Sequence, residues 1–231
     1  RRVEEKTMTR WNKFLNEYGE ELTRANILAT QLTDEDFRWI KKEVVKAKKI
    51  GVKKNKTLAG HIKEEYAMPG INQSFNNFLL GNASTHEVFK MYNSRFNVNS
   101  ENRPIYLDSF WVNYQKKYEF NPLHDHTGVY SFIIFVKIPY DLKKEENYFP
   151  EVATPYTEIS LHPQGEQVQT SKLNFVNIDP NGQIVTKPVP ADKSFEGKMF
   201  MFPSKQLHLV YPFYTSNDYR ITVSGNIKVK V

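Results

Sequence analysis

Two histidines one residue apart, in His124-Asp125-His126, are the first residues of this 231-residue chain whose types and spacing could do chemistry. In extended backbone, residues i and i+2 project to the same side, so His124 and His126 can grip one metal ion while Asp125 points away. Imidazole nitrogens suit Fe, Zn, Cu or Ni. A third ligand must come from elsewhere in the fold. His208, in a late strand-like run after Phe202-Pro203-Ser204, is placed to supply it. Three protein ligands leave coordination positions open, as a catalytic metal requires and a structural one does not. Twelve residues after His208, Arg220 heads the apolar run 219–223, and Thr222 shares its face. A charged group aimed inward from a core strand needs a partner, and a guanidinium matches a carboxylate at two points. The residues therefore spell a metal site with a carboxylate seat beside it. Plainer readings exist for each part: polar surface at a strand start for the histidine pair, and a structural ion pair for Arg220.

The elements that must position these residues change character along the chain. Met8, Trp11, Phe14, Leu15, Tyr18 and Leu22 recur at helical spacing and form one apolar stripe. Thr33 with Asp36 reads as a capping box, and Phe37, Ile40 and Val44 continue an apolar face behind it. A third helix is expected to start near Ser84-Thr85. From Ile105 onward short runs of β-branched and aromatic residues predict strands at 105–114, 130–138, 172–178, 183–188, 198–202, 207–211 and 219–229. Asn181-Gly182 between two of them is a hairpin signal. Residues 141–170 are polar and weakly periodic, which predicts a long loop that could close over a site; His162 within it is expected to be exposed. The expected class is α+β: a double-stranded β-helix (a jelly roll of cupin type) at 105–231, with an N-terminal helical extension at 1–104 packed on one sheet.

Composition narrows the rest. Cysteine is absent, which excludes disulfides and thiolate metal sites and fits a cytoplasmic protein. No apolar run reaches the roughly 18–20 residues of a membrane span, and the first residues lack the apolar block of a signal peptide. The net charge of +6 sits wholly in the first 60 residues, where 15 Lys and Arg face 9 Asp and Glu. The tract 48–56 could meet nucleic acid, although no aromatic residues interleave its lysines for stacking.

The functional segments resemble the 2-oxoglutarate/Fe(II) oxygenase superfamily, in particular its prolyl-hydroxylase-like branch of bacterial and viral type. They are Asn113-Tyr114-Gln115 through Pro122-Leu123-His124-Asp125-His126, then Gly197 through Phe202-Pro203-Ser204 to His208, and finally Arg220-Ile221-Thr222. The resemblance spans about residues 105–231. It implies Fe(II), 2-oxoglutarate as cosubstrate and O2. It also implies hydroxylation of a prolyl or other peptidyl side chain in a protein or peptide substrate, with succinate and CO2 released. Arg220 and Thr222 would hold the far carboxylate of 2-oxoglutarate, and Tyr114 stands where such hydroxylases place a tyrosine on the same end. Phe132, Ile134 and Phe202 would wall the site from water. One departure stands out, because the family has an aspartate where His126 is. The metal then rests on all three histidines, or on Asp125 turned inward in place of His126, or on His124 and His208 alone; strand alternation favours the first. Three rivals make different predictions: a jelly-roll binding protein takes up no iron, a three-histidine cupin-type enzyme ignores loss of Arg220, and a nucleic-acid binder depends on the first 60 residues.

Overall fold

The computed structural model describes residues 8–98, 103–148, 169–179 and 181–230. Helix α1 (Arg10–Arg24) begins at Thr9, whose side chain accepts from the Asn12 amide, and it buries Trp11, Phe14 and Leu22 along the stripe expected of it. Strand β1 (Leu28–Gln31) follows. Helix α2 (Asp34–Ile50) starts at the Thr33 cap and stops at Gly51, which takes the left-handed conformation that ends many helices. Strand β2 (Glu65–Ala67), helix α3 (Gln73–Thr85) and helix α4 (Lys90–Phe96) complete the first half.

The second half holds β3 (Ile105–Gln115), β4 (Asn121–His124), β5 (Tyr130–Lys137), the short α5 (Leu142–Glu146), β6 (Leu173–Ile178), β7 (Ile184–Val189), β8 (Lys198–Pro203), β9 (His208–Val210) and β10 (Arg220–Val229). They form a six-stranded sheet in the order β1-β8-β5-β10-β3-β2 and a four-stranded sheet in the order β4-β9-β6-β7. Every pairing is antiparallel. From β3 to β10 the chain passes repeatedly between the two sheets, which is the winding of a double-stranded β-helix. The Asn181-Gly182 turn joins β6 to β7, held by the Asp179 carboxylate, which accepts from the Asn181 and Gln183 amides.

Two apolar layers result. One lies between the large sheet and the helices, where Ile40 and Val44 of α2 and Phe75 and Leu79 of α3 meet Val112, Ile134 and Val223. The other lies between the sheets, where Trp11 and Phe14 of α1 join Phe175, Phe200, Phe202 and Phe213. Helices thus cover the outer face of one sheet as expected, but the first 104 residues do more than cover it. They supply both edge strands of the large sheet, β1 against β8 and β2 against β3. The helix expected to start near Ser84-Thr85 and to carry Val88, Met91 and Tyr92 begins slightly later, as the turn 87–89 and α4, while α3 ends at Thr85. The Ser84 and Thr85 hydroxyls turn back to the Leu80 and Gly81 carbonyls rather than capping a new helix, and His86 caps the short turn that leads into α4. Residues 149–168, with His162 and most of the expected loop, lie outside the described residues.

Gly225 sits in the middle of β10, where a Cβ would come within 2.6 Å of both the Phe132 ring and the Ser109 carbonyl oxygen. One of these is backbone and cannot yield cheaply. Gly225→Ala is therefore expected to destabilise the protein by about 1–3 kcal/mol, seen as a lower midpoint in thermal or urea denaturation. An unchanged midpoint would contradict this packing.

Candidate functional site

The pairing of β4 with β9 brings the metal-binding side chains together. In that register His124 stands directly opposite His208, with ring centroids 4.3 Å apart. His126, just past the end of β4, is fixed by its amide donating to the Ser204 carbonyl at 2.8 Å. Ser204 is fully buried; its hydroxyl donates to the Gly128 carbonyl at 2.5 Å. The Phe-Pro-Ser run thus staples the far strand to the His-x-His segment. One ligand-capable nitrogen from each of His124, His126 and His208 lies within 4.8 Å of the others. Asp125 points outward and pairs with Lys205 at 3.0 Å.

Protonation follows from the partners. His124 Nδ1 donates to the Pro122 carbonyl at 2.7 Å, and His208 Nδ1 donates to the Gln206 carbonyl at 2.9 Å. A carbonyl only accepts, so the proton sits on Nδ1 and each Nε2 keeps a lone pair, the usual outer arrangement of a metal-binding histidine. His126 Nε2 and His208 Nε2 face one another at 3.2 Å. Two nitrogens about 2.1 Å from a common ion, at an angle of roughly 100°, have that separation. Burial, with mutual repulsion second, pushes His208 down to about 3 and His126 down to about 4, and burial also lowers His124. All three are neutral near pH 7, the form that binds metal. Three neutral imidazoles in one cluster therefore fit an iron ion.

Arg220 is 2% exposed and meets no carboxylate among the described residues. Its Nε and Nη2 both donate to Gln115 Oε1, at 3.0 and 2.6 Å, and Nη1 donates to the Ser171 carbonyl at 2.5 Å. The amide oxygen of Gln115 fills the fork of the guanidinium as a carboxylate would, so the charge is hydrogen-bonded but not neutralised. Thr222, on the same strand face, accepts weakly from Asn113 Nδ2 at 3.4 Å. Tyr114 does not join them. It lies on the helix side of β3, and its hydroxyl donates to the Val44 carbonyl at 2.8 Å. Alternation along β3 turns Trp111, Asn113 and Gln115 inward instead. Polar residues at every second position of an apolar strand were the available signal for that phase. Of the expected walls, Ile134 shifts to the helix-side layer for the same reason, while Phe132 lines the histidine cavity and also packs on Phe75 and Phe110. Phe202 does stand against His208, at 4.9 Å.

The histidines line a cavity of about 240 Å³ with Trp111, Asn113, Asn121, Phe202 and Glu65. A larger groove of about 880 Å³ beneath α2 lies on the helix side and holds none of them. Glu65 is 1% exposed; burial, and the nearby Glu119 charge second, push its carboxyl up to about 7. Nothing in the sequence around 60–67 marks this residue as buried, because the segment has no periodicity.

The two-sheet fold thus carries three convergent imidazoles and, on β10, a buried guanidinium without a carboxylate partner among the described residues. Residues 109–226 match the family described as "Putative 2OG-Fe(II) oxygenase", and the chain belongs to this family. Its cofactors are accordingly Fe(II) and 2-oxoglutarate, with O2 as oxidant. No curated protein matches the chain. Among solved structures, a prolyl-4-hydroxylase from Pseudomonas putida aligns over 94% of this chain and all of its own, with a TM-score of 0.51 at 13% identity. A viral collagen prolyl hydroxylase from Paramecium Bursaria Chlorella virus-1, in complex with 2OG, aligns over 89% of this chain and 97% of its own, with a TM-score of 0.44 at 12% identity. A Trichoplax adhaerens prolyl hydroxylase bound to a hypoxia inducible factor peptide fragment aligns over 96% and 94%, with a TM-score of 0.47 at 10% identity. At these identities the likeness concerns the fold.

Two measurements check the site. His208→Ala is expected to weaken Fe(II) binding on the order of 100-fold or more, measured by competition with a chromophoric chelator; unchanged affinity would contradict the assignment. Glu65, with a carboxyl pKa raised on folding from 4.5 to about 7, binds a proton in the folded state at pH values where the unfolded chain has lost it. Stability from this group is therefore lost as pH rises from about 4.5 to about 7. Glu65→Gln is expected to gain up to about 3 kcal/mol over the natural chain at pH 8 and nothing below pH 4. Urea titrations at the two pH values would show whether the gain depends on pH.

Proposed function

We propose that the protein is a hydroxylase in which His124, His126 and His208 all hold the iron and Arg220 with Thr222 holds the far carboxylate of 2-oxoglutarate. The observation that carries this reading is the facing of His126 Nε2 and His208 Nε2 at 3.2 Å, with Asp125 turned away to Lys205. Bound iron and cosubstrate supply the oxidising power: one atom of O2 enters a substrate C–H bond, and the other goes into succinate as CO2 is lost.

The residues of the chain bind, orient and exclude water. The Pro122 and Gln206 carbonyls hold two imidazoles in the metal-binding tautomer. Three neutral ligands leave the full charge of the ion uncompensated, where an aspartate would have cancelled part of it. The site thereby gains attraction for a dianionic cosubstrate. Arg220, buried with neutral acceptors only, adds a second positive end, and its fork exchanges the Gln115 oxygen for a carboxylate of the same geometry. Phe202, Phe175 and Trp111 make the surroundings of His208 and His126 apolar, which strengthens every charge interaction inside. The substrate we propose is a peptidyl side chain, the class bound by the Trichoplax neighbour, with prolyl residues the class that resemblance to prolyl hydroxylases puts first. The basic tract at 48–56 is partly engaged within the fold: Lys48 pairs with Glu64, and Lys53 donates to the Lys63 carbonyl.

Anaerobic addition of 2-oxoglutarate to Fe(II)-loaded protein tests the reading. A weak visible charge-transfer band is expected, and its absence in folded, iron-loaded protein would overturn the proposal. Arg220→Lys, which keeps the charge and loses the fork, is expected to weaken cosubstrate binding roughly tenfold by the same titration. Unchanged binding would remove Arg220 from the cosubstrate seat.

A further inference from the structure

One wall of the histidine cavity is lined by oxygen atoms that lack donors. Glu65 takes one hydrogen bond, from Asn55 Nδ2 to its Oε2 at 3.2 Å. Its Oε1 receives none from the described residues, and no cation there lies within ion-pair distance. Lys53, the cation whose charge it feels, turns its ammonium to the Lys63 carbonyl and the Tyr66 hydroxyl instead. Asn113 Oδ1 and Asn121 Oδ1 are buried with no donor. The loop at 57–60 closes over this wall because residue 60 is glycine. A Cβ there would stand 2.3 Å from Asn121 Oδ1 and 2.7 Å from Glu65 Oε1, so these two oxygens flank one small space.

A buried carboxyl without a cation is costly, and buried acceptors without donors add to the cost. Protonating Glu65 does not resolve the arrangement, since one proton serves only one of three oxygens. An ammonium does: it brings three N–H donors, no acceptor and the missing positive charge. A prolyl ring brings no donor at all. We propose that Glu65, Asn113 and Asn121 receive the ammonium of a lysyl side chain, and that this is the side chain presented to His124, His126 and His208. The inference rests on the oxygenase reading above and, within its peptidyl substrate class, sets a lysyl side chain in place of the prolyl one. In the reaction one C–H of the lysyl chain becomes C–OH with one atom of O2. The other atom oxidises 2-oxoglutarate to succinate and CO2, and the ammonium keeps its protons.

The test uses three peptides identical except for a central lysine, norleucine or proline, titrated calorimetrically into protein loaded with Fe(II) and 2-oxoglutarate without oxygen. The lysyl peptide is expected to bind at least tenfold more tightly than the other two. Glu65→Gln and Gly60→Ala are expected to erase the difference while leaving metal affinity unchanged. On admitting air, mass spectrometry is expected to find one added oxygen on the lysine. Equal binding of the norleucyl or prolyl peptide, no binding of any peptide, or a preference that survives Glu65→Gln would each overturn the proposal. The comparison in the natural chain needs no variant, so misfolding of a mutant would not shield it. Binding of 2-oxoglutarate without peptide scores the oxygenase reading separately. Its failure with lysyl preference intact would overturn the oxidation and leave the ammonium site standing.

Discussion

The structure depends on one cross-strand pairing, β4 against β9 in the register that sets His124 opposite His208. A slip of one residue would turn His208 to the other face of its strand and dissolve the metal cluster. The pairing is short, and the rest of the molecule secures it. Ser204 ties the approach to β9 to both His126 and Gly128. Gly128, at φ +100, brings the backbone so close to the Ile227 carbonyl that a Cβ would lie 2.5 Å from it. The inter-sheet aromatic layer holds the two sheets apart at the spacing the imidazoles need, with Phe175 and Phe202 against His208 itself.

Charge distribution follows the same plan. The interior between the sheets contains an uncompensated guanidinium, three neutral imidazoles and an uncompensated carboxyl. Each is poorly stable alone in a dry environment. On the proposed reading their separation gives the interior a direction: an anion at the Arg220 end, a metal at the histidines, a donor at the Glu65 end. With His126 as a ligand in place of the family's aspartate, the proposed site carries more positive charge at the metal, where it would draw a dianion.

Much of this was legible in the sequence, for identifiable reasons. Period-two geometry put His124 and His126 on one side, and β-branched runs located seven strands to within a few residues. Helix α1 declared itself by its stripe and α2 by its cap. Tyr114 misled because the family pattern selected it, while the alternation of Trp111, Asn113 and Gln115 already placed it on the opposite face. Strands β1, β2 and β4 are three or four residues long, too short to show a period. Glu65 and Asn121 ride on two of them, so the wall they build emerges only from long-range pairing. The woven N-terminal half was invisible for the same reason: an edge strand is specified by its partner in space.

The central claim is that iron rests on three imidazoles and no carboxylate of the chain. X-ray absorption at the iron edge of the Fe(II)-loaded protein tests it most directly. The account predicts scattering from three imidazole rings, unchanged in Asp125→Asn and reduced by one ring in His126→Ala. Two rings in the natural chain, or a spectrum altered by Asp125→Asn, would contradict it.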